Sequence, residues 1–84
     1  MQLDILTPEK KVYSGEATSI KLPGIESNNF ELLDNHAPLI SALGKGVLTY
    51  VNKEGTTQLQ IQDGFVECLQ NKVVVLVGGA EEVK

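Results

Sequence analysis

Few side chains in this sequence have the capacity for chemistry. The only histidine, His36, lies two positions from a carboxylate in Asp34-Asn35-His36-Ala37-Pro38. An imidazole with a carboxylate partner can serve as a general base, but hydrolysis would also need a positioned nucleophile. Ser14, Ser19, Ser27 and Ser41 lie in no nucleophile motif. Asp and Asn side chains bond to nearby backbone and favour turns. The residues therefore favour a turn built by Asp34 and Asn35, with His36 exposed on it or bonded locally, over a catalytic dyad. One histidine and the single cysteine, Cys68, have no paired spacing and make no zinc signature. Gly44-Lys45-Gly46 and Gly78-Gly79 have neither the spacing of a phosphate loop nor the helix that follows one, and read as turns. No catalytic, cofactor-binding or metal-binding residues are expected.

The elements that would hold these groups have the period of strands. Leu3 and Ile5 alternate with Gln2 and Asp4, and Pro8 ends that strand. Val12-Tyr13 leads to Ser14-Gly15, a bend or bulge signal. Thr18, Ile20 and Leu22 form the next strand, closed by a Pro23-Gly24 turn before a polar loop to Asn29. Phe30, Leu32 and Leu33 make a short apolar strand. Beyond the Asp34-Asn35 corner, Pro38 holds the chain extended, and Leu39, Ile40 and Leu43 resume the apolar pattern.

Val47 to Val51 is rich in β-branched and aromatic residues, and Asn52-Lys53-Glu54-Gly55 reads as a hairpin connection. Gln58 to Gln62 is the cleanest alternation in the chain. Phe65 to Leu69 is ambiguous, because Phe65 and Leu69 flank Glu67 on one face while Val66 and Cys68 share the other. After a Gln70-Asn71 turn, Val73 to Val77 is apolar on both faces and is expected to be central or covered on both sides. Ala80 to Lys84 has the composition of a helix start. About eight to ten short strands with a turn between each pair indicate an all-β protein, a sandwich or barrel.

Size and charge narrow the function classes. The chain has 84 residues, one domain spanning 1–84, and at this length roughly 60–65% of the unfolded surface is buried. The net charge is −4, arginine is absent, and the seven lysines are scattered. Nucleic-acid binding normally needs a clustered basic stripe, so a protein partner is expected instead. A lone cysteine excludes an internal disulfide and fits a reducing compartment. Met1 to Asp4 has no basic-then-apolar pattern of a secretory signal. The longest apolar run, Val73 to Ala80, is far short of the ~20 residues of a membrane helix. Any work at a membrane would go through a partner.

Several blocks in one order are more specific than any of these motifs. Leu3-Asp4-Ile5, Tyr13-Ser14-Gly15, Pro23-Gly24, Asn35-His36-Ala37-Pro38-Leu39-Ile40, Gly46-Val47-Leu48, Gly64-Phe65-Val66-Glu67 and Val73-Val74-Val75-Leu76 resemble the epsilon subunit of F-type ATP synthases over nearly the whole chain. The resemblance implies a flattened β-sandwich of two sheets without an active site or cofactor. It implies a single-copy rotor subunit of the central stalk, between the gamma subunit and the membrane-embedded c-ring, that couples proton-driven rotation to ATP synthesis. The implied location is peripheral, at the cytoplasmic face of a bacterial inner membrane.

Carried over by resemblance, the ring contact would involve Asn29, Asp34 and His36, and the gamma contact Thr7, Leu39, Ser41 and Leu43. The family often has Gly at the positions of Asn28 and Glu31, an acidic residue at Asn29 and Pro at Asp34. Many members continue into a C-terminal helical hairpin, which is expected to be absent here. The competing readings are a generic β-sandwich module for a peptide or small ligand, and a small hydrolase using His36 and Asp34.

Overall fold

A computed structural model describes residues 1–83. Among them the chain forms ten strands: β1 (Gln2–Leu6), β2 (Lys11–Glu16), β3 (Ser19–Leu22), β4 (Phe30–Leu33), β5 (Leu39–Leu43), β6 (Gly46–Asn52), β7 (Gly55–Ile61), β8 (Gly64–Leu69), β9 (Lys72–Val77) and β10 (Ala80–Glu82). One 3-10 turn, Ile25–Ser27, interrupts them. The strands pair into two five-stranded sheets, ordered β2-β1-β9-β8-β5 and β10-β7-β6-β3-β4. Only β1 and β9 run parallel.

The sandwich follows from alternation. Successive side chains on a strand point to opposite faces, and each strand carries its apolar set at every second position. From the first sheet Leu3, Ile5, Leu43, Val66, Cys68, Val73, Val75 and Val77 point inward. From the second, Ile20, Leu22, Leu32, Leu48, Tyr50, Leu59 and Ile61 meet them. No charged or polar side chain is buried among the described residues. The rings of Tyr13 and Tyr50 lie 4.6 Å apart and close one end of this core.

Two details differ from the sequence-based expectation. Gly15 marks no bulge, because β2 runs through it. The register shift lies across from Val12, between Ile5 and Leu6. Gly15 is small because Tyr13 folds over it: a Cβ there would sit 3.0 Å from the Tyr13 hydroxyl, which donates to the Glu16 carbonyl at 2.7 Å. The tail Ala80–Glu82 is a strand rather than a helix start. It satisfies the open edge of β7, with Ala80 opposite Ile61 and the Val83 N–H bonded to the Gln58 carbonyl at 2.9 Å. As expected, β9 is central in its sheet, with Val73, Val75 and Val77 buried. Its outward Leu76 is 51% exposed.

Candidate functional site: a polar corner and an apolar sheet face

The β4–β5 corner forms as its residues dictate. His36 N–H bonds to the Leu33 carbonyl at 3.1 Å, and Asn35 takes a positive φ of 63°, a conformation Asn tolerates. Two long-range bonds fix the turn. The Asn35 N–H donates to Asn71 Oδ1 at 2.7 Å, joining the corner to the β8–β9 turn. The Met1 amine donates to Asp34 Oδ1 at 2.8 Å and to the Ala17 carbonyl at 3.0 Å. The bond from the amine is the main reason the Asp34 carboxyl lies below its ordinary range, with Asn71 second. The same bond raises the amine against the opposing effect of burial.

Asp34 and His36 do not form a dyad. The carboxylate faces the amine, while His36 Nδ1 lies 2.7 Å from the Ala37 carbonyl. Ser41 Oγ is turned to the Ala42 carbonyl at 3.1 Å. Cys68 is buried, its Sγ 3.8 Å from the His36 carbonyl, and burial pushes its thiol pKa up.

The other residues singled out from the sequence are dispersed. Asn29 precedes β4 and Asp34 follows it. At the rise of an extended strand that separates them by roughly 17 Å, so the structure brings Asp34 and His36 together but not Asn29. Asn29 is exposed and borders a shallow depression with Lys21, Phe30 and Val47. Thr7 lies at Asn29's end of the molecule, where its Oγ1 accepts the Glu9 and Lys10 N–H groups in the β1–β2 turn. On β5, Leu39, Ser41 and Leu43 share the inward face. Leu43 is 2% exposed and belongs to the core, so in this structure it has no surface to offer a partner. Leu39 is half-buried against that core.

The most conspicuous surface lies on the opposite side of β5. Ile40 is 70% exposed, Phe65 58%, Leu69 51% and Leu76 51%. All four point outward from the first sheet, on β5, β8 and β9. The register sets Leu6, Leu76, Phe65 and Ala42 in one row across four strands. The next row is Asp4, Val74, Glu67 and Ile40, and the third begins Gln2, Lys72 and Leu69. The other large exposed apolar groups, Ile25, Leu33, Val47 and Val83, are scattered. Four large apolar side chains gathered on one sheet face are the kind of surface expected of an interaction site. Its sequence signal was the apolar character on both faces of Val73 to Val77, together with the ambiguous Phe65 to Leu69.

Residues 1–83 match the ATP synthase, Delta/Epsilon chain, beta-sandwich domain. The chain belongs to this family. Among relatives, the ATP synthase epsilon chain of Rhodobacter capsulatus is 38% identical over 76 residues, which are 90% of this chain and 57% of the relative. That of Chlorobium limicola is 40% identical over 76 residues, 89% of this chain and 85% of the relative. The chloroplastic epsilon chain of Tetradesmus obliquus is 37% identical over all 84 residues and 61% of its own length. The chain thus spans less than two thirds of most of these epsilon chains. Its fold is that of a chain in the Euglena gracilis mitochondrial ATP synthase OSCP/F1/c-ring structure, with a TM-score of 0.87 at 18% identity, covering 95% of this chain and 51% of that one. The Delta/Epsilon sandwich accounts for every strand described here, including β10.

Proposed function

We propose that the chain is the β-sandwich of a non-catalytic central-stalk subunit in a proton-translocating F-type ATP synthase. It links a gamma subunit to the c-ring and transmits ring rotation toward ATP synthesis. Family membership over residues 1–83 supports the assembly. The observation that carries the mechanism is the apolar outward face of the first sheet. It is the outer side of a sheet whose inner side packs into the core. A packed interior deforms little, so torque applied at one end reaches the other.

Gamma is therefore assigned to Ile40, Phe65, Leu69 and Leu76, with Leu39 and Ser41 behind them and Thr7 at the margin. Asn29 and the Asp34–His36 corner lie at opposite ends of β4, which favours assigning them to different contacts. Asp34 is already bonded to Met1, so the ring contact is assigned to the turns around Asn29, and His36 to the flank of the gamma interface. Membrane association is peripheral, through these partners, at the cytoplasmic face of a bacterial inner membrane, with one copy per complex.

Titration calorimetry with a purified gamma subunit tests this reading. One-to-one binding that Ile40→Asp abolishes, with the variant still folded, is expected. Binding unaffected by Ile40→Asp, or none at high micromolar concentration, contradicts the assignment and favours a generic binding module.

A further inference from the structure

One charged group sits in the middle of the apolar face. Glu67 points outward from β8, with Phe65 and Leu69 on either side along the strand. Ile40 of β5 and Val74 of β9 are its cross-strand neighbours. Four apolar side chains thus frame one carboxylate. The nearest lysine on that face, Lys72, is paired with Leu69 and is diagonal to Glu67. Among the described residues no cation lies within 4 Å of the carboxylate. Two shallow depressions meet at Glu67 and Leu69. One, of about 360 Å³, lies toward Ile40 and Pro38. The other, of about 290 Å³, lies toward Lys72 and Val74.

A surface chosen only for apolar docking gains nothing from a carboxylate at its centre. Covering this face would take Glu67 out of water, and an unpaired buried charge is strongly unfavourable. A cation delivered by the partner removes that penalty. It also rejects apolar surfaces that lack the cation, which is how specificity is built at an interface. A lysine or arginine suits the site, because its apolar stem lies along Leu69 or Ile40 while its head reaches the carboxylate.

We infer that Glu67 is the specificity-determining residue of this face, and that the partner's docking stripe is apolar with one lysine or arginine placed against it. This rests on the proposed docking of gamma to the first sheet.

The test uses calorimetry with gamma on the unaltered chain and on Glu67→Gln, Glu67→Leu, Glu67→Lys and Phe65→Asp, each verified as folded by circular dichroism. Glu67→Gln is expected to weaken binding roughly ten-fold or more, and Glu67→Lys to abolish it, because the partner's cation is left buried and unpaired. Glu67→Leu is expected to bind more weakly than the unaltered chain despite its larger apolar area. Replacing each lysine and arginine of gamma with glutamate in turn is expected to yield one variant that restores binding to Glu67→Lys.

If Phe65→Asp loses binding while Glu67→Gln and Glu67→Leu bind as well as the unaltered chain, the inference is overturned and the docking face stands. Absence of a restoring gamma variant also overturns it. If Phe65→Asp binds normally, or the unaltered chain does not bind, the docking reading fails and this inference with it.

Discussion

Replacing Gly64 with alanine is expected to be among the most damaging single-methyl changes in this protein. Gly64 opens β8 and lies opposite both Val77 of β9 and Leu43 of β5. A Cβ built there would sit 2.3 Å from the Leu76 carbonyl oxygen and 2.7 Å from Val77 Cγ1. The first contact is with backbone, so no rotamer change relieves it. An ordinary Cβ–oxygen contact is about 1 Å longer, and β8 and β9 must separate by that amount where the ladder begins. Weakening about two backbone hydrogen bonds costs roughly 1–3 kcal/mol, and forced displacement in a packed core adds roughly 1–3 kcal/mol. The expected loss is therefore about 4 kcal/mol, or a fall in melting temperature of about 16–32 °C for a domain of this size. Urea unfolding followed by far-UV circular dichroism measures it, since the chain has no tryptophan. Gly79→Ala is the matched control. Nothing lies within 4 Å of its added methyl, so the unfolded-state effect is left to act, from neutral to about 1 kcal/mol stabilising. A Gly64→Ala loss below about 1 kcal/mol, the level of an ordinary surface change, would refute the close-approach argument.

Other substitutions and conditions separate core from surface. Ile5→Ala, at a fully buried position, is expected to cost about 2–5 kcal/mol in urea unfolding. Ile40→Ala, on the exposed face, is expected to stay within about 0.5 kcal/mol, and equal losses would contradict the inward placement of Ile5 on β1 and the outward placement of Ile40 on β5. The pH dependence follows from two groups with opposite signs. Asp34 is lowered in the folded chain, so its contribution is complete above the ordinary carboxylate range and is lost as pH falls through the lowered value. The Met1 amine is raised, so its contribution is complete below the ordinary amine range and is lost as pH rises through the raised value. Thermal melts across pH are expected to show a central plateau with both flanks reduced in Asp34→Asn, and an unchanged alkaline flank contradicts the amine–carboxylate bond. Cys68, buried with its thiol pKa pushed up, is expected to react with a disulfide reagent only through opening, at a rate that rises in Ile5→Ala. Labelling as fast as a free thiol would place it at the surface.

The sheet content was legible because alternation is a local signal. Gln58 to Gln62 alternates so cleanly that its buried pair, Leu59 and Ile61, could be read directly. The corner at Asp34-Asn35 was equally local, since both residue types carry turn chemistry with them. The missed features depend on partners distant in sequence. Ala80–Glu82 looks helical alone and becomes a strand only because β7 has an open edge to pair. Gly64 is explained by the approach of Leu76 and Val77 on β9.

The exposed apolar face of the first sheet was hidden for the same reason. Ile40, Phe65 and Leu76 lie on three strands, and only the registers align them. Leu43 was carried over as a contact by resemblance, but two-residue periodicity turns it inward with Ser41 and Leu39. Asn29 and His36 fall in one sequence block, yet the intervening strand β4 carries them to opposite ends.

The most direct test of the account is protection of the first sheet's outward face. Phe65→Cys and Val47→Cys place a reactive thiol on the outward faces of the first and second sheets, while Cys68 stays buried. Labelling is measured alone and with a saturating gamma subunit. The account predicts strong slowing at Phe65→Cys and little change at Val47→Cys. Protection at Val47→Cys with Phe65→Cys left open would contradict it, placing the partner on the other sheet.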